Sequence, residues 1–353
     1  MISGHMTRTE RITVPSNTRL IDVLRKMDET EHKLLLVADG TEFVGVVSIG
    51  DIQRCILKCI DLNNEVRTVI RADIIFASEE TPMENIREQM LKSRMEFMPV
   101  VAADGTVKDV IFWEDLFPSR MPAVKLDKKY PVVIMAGGLG SRLKPLTNVI
   151  PKPLVPIGEK TIIEHITDMF ESAGCGEFYC SVNYKADILK FYLDGKGKNL
   201  TYFQEDKPLG TAGSLYLLKG RLSGTFFVIN CDILLDVDLS ELMKFHKENG
   251  NLLSLVSVVK TFRIPYGILR TREDGQLVEL QEKPSEVYQI NSGLYVLEPE
   301  IFDYIEDKQF LHITTLAERI MADGRKVGVF PVSEHSWIDM GNWDEYLKLV
   351  KPE

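Results

Sequence analysis

Residues 136–147 read Ala136-Gly137-Gly138-Leu139-Gly140-Ser141-Arg142-Leu143-Lys144-Pro145-Leu146-Thr147 and follow directly on the apolar run Val132–Met135. Glycines let a backbone approach a phosphate closely and turn its N–H groups toward the anion. A loop leaving the C-terminal end of a strand opens on the crevice where α/β sheets bind ligands. Two familiar phosphate patterns fail here. In the frame starting at Gly138 the dinucleotide motif needs glycine where Leu143 stands, and no Gly-Lys-Ser/Thr follows to complete a P-loop. Further on, an apolar run over residues 226–229 ends in Asn230-Cys231-Asp232. A carboxylate at a strand's C-terminal end faces the same crevice, and magnesium takes one or two carboxylates together with phosphate oxygens. Asp236 and Asp238 offer an Asp-x-Asp spacing for a metal, but they precede a helix start, where capping is the expected role.

The elements that position these residues fall into two textures. At 353 residues the chain is long for one core and comfortable for two domains. A hydrophobic content of 44% and a charged content of 27% are those of an ordinary globular protein. No apolar run approaches the roughly 20 residues of a membrane span and no secretory pattern opens the chain, so a cytoplasmic location is expected. The opening Met1-Ile2-Ser3-Gly4-His5-Met6 reads as a cloning remnant. A net charge of −10 argues against nucleic acid as a partner, since phosphate backbones recruit basic surfaces. The five cysteines lack metal-ligand spacing with histidine, so free thiols are expected, with Cys55 and Cys59 on one helical face.

The first half carries an internal repeat. A helix from Thr18 to about Glu31 leads into the strand Leu34–Val37, and a helix from Thr81 to about Arg94 leads into Phe97–Val100. Each strand meets an Asp-Gly turn signal, Asp39-Gly40 or Asp104-Gly105. Each then returns through Val46-Val47 or Val110-Ile111 to a helix start at Asp51 or Asp115. This unit resembles the tandem cystathionine-β-synthase (CBS) domain pair over residues 8–120. That resemblance implies an α+β domain, a homo-oligomer assembled through it, and an adenine or guanine nucleotide held by Thr18, Ser48 and Asp51. The second copy reads Phe112-Trp113-Glu114-Asp115 and has lost the hydroxyl. Ser48 and Asp51 are equally suited to capping the helix that follows them.

A linker is expected over 121–129 and a second domain over 130–353, where strands alternate with helical stretches as in a doubly wound mixed sheet. Its loop, Gly-Gly-x-Gly-x-Arg-Leu-x-Pro-Leu-Thr followed by Pro151-Lys152-Pro153-Leu154-Val155-Pro156, resembles the signature of the sugar-1-phosphate nucleotidylyltransferases. That family implies a Rossmann-like, GT-A-like α/β fold and the transfer of a nucleotidyl group to a sugar 1-phosphate, with Mg2+ as cofactor. By this resemblance Ala136, Gly137, Gly138 and Gly140 cradle the nucleotide, Arg142 grips the departing phosphates and Lys152 lies near the α-phosphate. Trp337-Ile338-Asp339-Met340-Gly341 matches the segment of the second metal carboxylate, so Asp232 and Asp339 are the implied metal ligands. Gly267, Glu282, Lys283 and Asn291 match the sugar-phosphate contacts.

Ahead of Leu209-Gly210-Thr211-Ala212-Gly213 the family places a side chain that reads the base, with Gly210 and Thr211 close to the nucleotide. Enzymes of uridine and thymidine nucleotides tend to have Gln there; this chain has Glu205. A carboxylate only accepts, and guanine offers two adjacent donors, so GTP is the expected nucleotide. A CBS pair ahead of such a domain resembles the glucosamine-1-phosphate guanylyltransferases of legionaminic acid synthesis. Mannose and heptose 1-phosphates are the alternative substrates. A non-catalytic nucleotide sensor and a glycosyltransferase using Asp236 and Asp238 are the competing functions.

Overall fold

The computed structural model describes residues 7–71, 74–93, 95–117, 124–198, 200–334, 336–341, 343, 346 and 347. The chain divides into two compact units, Met1–Pro122 and Ala123–Glu353.

The first unit runs α1 (Arg8–Arg11), β1 (Thr13–Val14), α2 (Leu20–Thr30), β2 (Leu34–Asp39), β3 (Glu42–Ser48), α3 (Ile49–Leu57), α4 (Met83–Ser93), β4 (Phe97–Val101), β5 (Val107–Phe112) and α5 (Trp113–Leu116). In α2 the buried residues Leu20, Ile21, Val23, Leu24 and Met27 recur at helical spacing and form one apolar face. The helix ends at Glu31, which takes the left-handed conformation at φ 59°. β1, β2 and β3 form a sheet in that order, and β4 and β5 pair as a separate hairpin. Arg94, residues 118–120 at the end of the expected CBS pair and residues 121–123 of the expected linker lie outside the described residues, as do Met1–Met6. Cys55 and Cys59 do not share a face. Helix α3 stops at Leu57, so Cys55 is buried on it while Cys59 sits beyond its end, exposed and at φ 54°.

The second unit opens with residues 124–129 against its own core, where the Leu126 N–H donates to the Ala173 carbonyl at 2.9 Å. It continues β6 (Val132–Met135), β7 (Pro156–Ile157), β8 (Lys160–Thr161), α6 (Ile162–Ser172), β9 (Phe178–Val182), α7 (Ala186–Gly195), β10 (Leu200–Gln204), α8 (Gly210–Gly213), β11 (Phe226–Asn230) and β12 (Ile233–Leu235). There follow α9 (Leu239–Asn249), β13 (Leu253–Arg263), β14 (Ile268–Thr271), β15 (Leu277–Gln281), β16 (Ser285–Leu297), α10 (Ile313–Ala322), β17 (Val327–Ser333) and β18 (Trp337–Asp339).

The central sheet has the order β10-β9-β6-β11-β16-β13-β17. It is parallel from β10 to β11 and between β13 and β17, and antiparallel where β16 joins its neighbours. Alternating side chains feed two cores. Val132, Ile134, Cys180, Phe227 and Ile229 pack with α6, α7 and α9, while Val133, Tyr179, Phe226 and Val228 pack with α8, α10 and the short turns near them. After β6 the chain moves outward through β9 to β10, then returns to lay β11 on the other side of β6. Strand order therefore reverses at β6, and the adjacent C-terminal ends of β6 and β11 bound the crevice where such sheets take ligands.

Candidate active site

From β6 the chain enters the glycine-rich loop, and from β11 it turns through Cys231 into Asp232. The loop is braced from within: the Ala136 N–H donates to the Ser181 carbonyl at 3.2 Å, and the Thr147 hydroxyl donates to the Gly140 carbonyl at 2.8 Å. Gly140 has φ 62°, and a Cβ there would sit 2.8 Å from the Thr147 side chain. A Cβ on Gly138 would meet nothing within 4 Å, so the protein's own packing does not require that glycine. A close-approaching ligand would.

Arg142 stands on a single turn, Ser141–Leu143, and Lys152 on another, Lys152–Leu154, set by the preceding Pro151. Both reach the same carboxylate. The Lys152 ammonium donates to Asp232 Oδ2 at 2.8 Å, and Arg142 Nη2 donates to the same oxygen at 3.3 Å. The other guanidinium nitrogen lies 3.9 Å from Asp339 Oδ2. The Lys152 side chain is only 8% exposed, whereas that of Arg142 is 64% exposed. A two-stranded ribbon brings the aspartates together. β12 pairs antiparallel with β18 so that Ile233 faces Asp339, and the Met340 N–H closes on the Asp232 carbonyl at 2.7 Å. The Gly341 N–H donates to Asp339 Oδ1 at 2.7 Å, and a Cβ on Gly341 would come 2.7 Å from Arg142 Nη2.

Two carboxylates within reach of one cationic group also fit a hard divalent ion. Among the described residues no group of three or more His, Cys, Asp or Glu is arranged to hold a metal. Asp232 and Asp339 would supply two oxygen ligands, leaving the other positions to phosphate and water, as magnesium prefers. Asp238 is spent otherwise. It is the N-cap of α9 and accepts from the Ser240 and Glu241 N–H groups.

Leu209 and the single turn α8 are wedged against residues 309–313. Gly210 has φ 78°, and a Cβ there would lie 2.5 Å from the Leu311 carbonyl oxygen. The Thr211 hydroxyl accepts the Ile313 N–H at 2.9 Å, so it caps α10. Glu205, just past β10, is only 6% exposed. Its Oε1 accepts from the Ser181 hydroxyl at 2.5 Å, and its Oε2 accepts from the Leu209 N–H at 3.0 Å. A Cβ on Gly137 would fall 2.9 Å from Oε1, which puts the carboxylate directly against the first loop.

The sugar-side residues form two groups. Asn291 donates to the Tyr295 hydroxyl at 2.9 Å and accepts from the Gly293 N–H at 3.1 Å. Burial pushes the Tyr295 phenol up to about 12, and the Asp232 charge adds to the effect. Asn291 therefore belongs to the carboxylate end of the crevice. Gly267, Glu282 and Lys283 lie around the β14–β15 ribbon: Glu282 and Lys283 are exposed, 3.9 Å apart, and Gly267 faces the Glu282 carboxylate. Thr147 stands in the signature read from the sequence, whereas the supporting residues Ser181 and Asn183 escaped sequence reasoning. Ser181 alone left a signal, as a hydroxyl in the buried strand Phe178–Val182.

In the first unit Thr18 is half-buried, its carbonyl accepting the Val66 N–H at 2.7 Å. Ser48 and Asp51 form a reciprocal cap on α3, with the Ser48 N–H and hydroxyl both on Asp51 Oδ2. Arg54 and Arg71 bond the other Asp51 oxygen. Burial pushes the Asp51 carboxyl up, but the bonds from Arg71, Ser48 and Arg54 outweigh it and hold the group below the usual range. Asp115 repeats this layout, accepting from the Phe112 N–H and pairing with Arg8.

Residues 131–352 match the model of the nucleotidyl transferase family, which covers the whole crevice just described. The chain belongs to that family. The CBS domain model matches residues 2–58 and 66–118, so a tandem CBS pair precedes the nucleotidyl transferase domain. Mannose-1-phosphate guanylyltransferase catalytic subunit beta of Drosophila pseudoobscura pseudoobscura is 33% identical over 227 residues, covering 61% of this chain and 60% of that protein. A mannose-1-phosphate guanyltransferase of Saccharomyces cerevisiae is 34% identical over 226 residues, covering 61% of this chain and 62% of the other. This chain thus spans about three fifths of the length of the curated relatives it matches. The crystal structure of HddC from Yersinia pseudotuberculosis is 27% identical with a TM-score of 0.49, over 62% of this chain and 97% of that one. Among the described residues no helix is long and apolar enough to cross a membrane.

Proposed function

We propose that this protein transfers a guanylyl group from GTP to a sugar 1-phosphate and releases pyrophosphate. The observation that carries the reading is the convergence of Arg142 and Lys152 on Asp232, with Asp339 at the far side of the guanidinium, at the mouth of the glycine-rich loop. A sugar phosphate oxygen attacks the α-phosphorus, the bond to the β-phosphate oxygen breaks, and pyrophosphate departs. Two anions meet in this step, so positioning and cationic stabilisation carry most of the catalysis. The exposed Arg142 fork turns from the aspartates to the departing phosphates, and the buried Lys152 holds its charge beside the reacting phosphate. Asp232 and Asp339 would hold Mg2+, which when bound neutralises charge on the phosphates. Gly267, Lys283, Glu282 and Asn291 receive the sugar phosphate, the last from the carboxylate end of the crevice.

Glu205 supports guanine, because a buried acceptor-only side chain beside the loop suits the N1–H and amino donors of that base. The names of the relatives above support mannose 1-phosphate. The order of CBS pair then catalytic domain favours glucosamine 1-phosphate, so both belong in one assay. Pyrophosphate release is measured for mannose, glucosamine and heptose 1-phosphates against all four common triphosphates. Release is expected with GTP and one of these sugars. Dominant use of UTP or dTTP, or no release with any pair, overturns the reading.

We assign the CBS pair to binding an adenine or guanine nucleotide at Thr18, Ser48 and Asp51, and to self-assembly of a cytoplasmic enzyme whose thiols stay reduced. Arg54 and Arg71 beside Asp51 supply the cations that a nucleotide phosphate needs. Calorimetry of the full chain with both nucleotides, repeated on Asp51→Ala, tests the site. Binding that survives the substitution would remove it.

A further inference from the structure

Ser181 lies in β9, whose five residues are all buried, and its own side chain is fully enclosed. A hydroxyl there needs a partner, and the partner is the carboxylate of Glu205 at 2.5 Å. Glu205 is held at three further points. Leu209 donates its N–H to the second carboxylate oxygen, Asn183 Nδ2 donates to the Glu205 carbonyl at 2.7 Å, and the Glu205 N–H donates to the Val182 carbonyl at 3.2 Å. One donor on each carboxylate oxygen fixes the plane of the group. It leaves each oxygen with an unused lone pair. A Cβ on Gly137 would lie 2.9 Å from Glu205 Oε1 and 3.1 Å from the Ser181 hydroxyl, so both groups press against the first glycine of the phosphate loop.

From this geometry we infer that Ser181 is a specificity-positioning residue: its hydroxyl orients Glu205 so that two parallel acceptors meet the N1–H and the exocyclic amino group of guanine. The inference rests on the guanine reading given above. It assigns discrimination to a residue that touches no nucleotide, through a bond buried behind the one that does. A site built on paired hydrogen bonds rejects an analogue lacking one donor, because an acceptor is then left unmatched.

Inosine triphosphate is the probe, since it differs from GTP only by the missing amino group. The full-length wild type should favour GTP over ITP by about 10-fold or more in kcat/KM, as one lost bond to a charged acceptor implies. In Ser181→Ala the ratio should fall to within about 3-fold, through a raised KM for GTP and little change for ITP. Ser181→Thr, which keeps the hydroxyl, should recover the preference. Ser181→Cys, of similar size but a far weaker donor, repeats the test should the alanine variant fail to fold. A purely structural role would lower both nucleotides together and leave the ratio untouched, which overturns the inference while sparing the guanine reading. A wild type that takes GTP and ITP equally also overturns the inference, whereas dominant use of UTP or dTTP overturns the guanine reading beneath it.

Discussion

Asp232→Asn separates what the carboxylate does for the fold from what it does for the reaction. Lys152 is 8% exposed and its ammonium has Asp232 as its carboxylate partner at 2.8 Å. Breaking a fully buried ion pair from one side costs about 3–5 kcal/mol, because the remaining charge stays buried. Here Asp232 keeps 21% of its side chain in solvent, and the asparagine carbonyl still accepts one bond, so the loss should be about 1–3 kcal/mol. In a domain of this size that lowers the melting midpoint by roughly 3–10 °C. Turnover should fall by about 100-fold or more, since an amide is a poor ligand for magnesium and the transition-state charge loses its counter-ion. Adding Lys152→Met removes the stranded ammonium, so the double variant should regain most of the stability and none of the activity. Thermal melts and initial-rate pyrophosphate release on the three proteins check this. Near-normal magnesium-dependent turnover in Asp232→Asn, or recovery of activity in the double variant, would refute the reasoning.

Glu205→Gln replaces an acceptor-only group with a donor and an acceptor, so preference should shift from GTP toward UTP or dTTP in side-by-side assays. Arg142→Met takes the cation off both aspartates. The free enzyme should then bind Mn2+ at least about 10-fold more tightly by paramagnetic resonance, and an unchanged affinity would mean the guanidinium does not screen the pair. Burial pushes the Glu164 carboxyl up, but donors from Thr161 and Tyr192 outweigh it and hold the group at about 2. Its contribution of about 3 kcal/mol is therefore complete above pH ~4.5 and is lost as the pH falls toward 2. The gap in urea midpoint between wild type and Glu164→Gln should close over that range.

The parts of the structure legible in the sequence are those fixed by local chemistry. The run Val132–Met135 is wholly apolar and stands as β6 over the same residues, and the glycine-rich loop follows it. The repeat in the first unit was readable because each copy repeats apolar periodicity, a turn and a helix cap within about 60 residues. What escaped depends on distant partners. The long strand β16 mixes Glu286, Gln289 and Asn291 with apolar residues, and it is a strand because it pairs with β11 and β13. Glu205 was legible as the base reader, but its burial was not: it lies in a polar stretch, and Ser181, 24 residues earlier in the chain, supplies the partner that permits it. Cys59 missed its expected helical face because α3 ends two residues earlier, at a stop with no glycine or proline to mark it.

The central claim concerns which bond of the nucleotide breaks, and positional labelling of GTP tests it most directly. With GTP radiolabelled at the α-phosphorus and mannose or glucosamine 1-phosphate, the label should appear in the nucleotide sugar. With the label at the γ-phosphorus, all of it should leave as pyrophosphate. Transfer of the γ-label to the sugar, or retention of both labels in unreacted GTP with every sugar 1-phosphate tried, would contradict guanylyl transfer at this site.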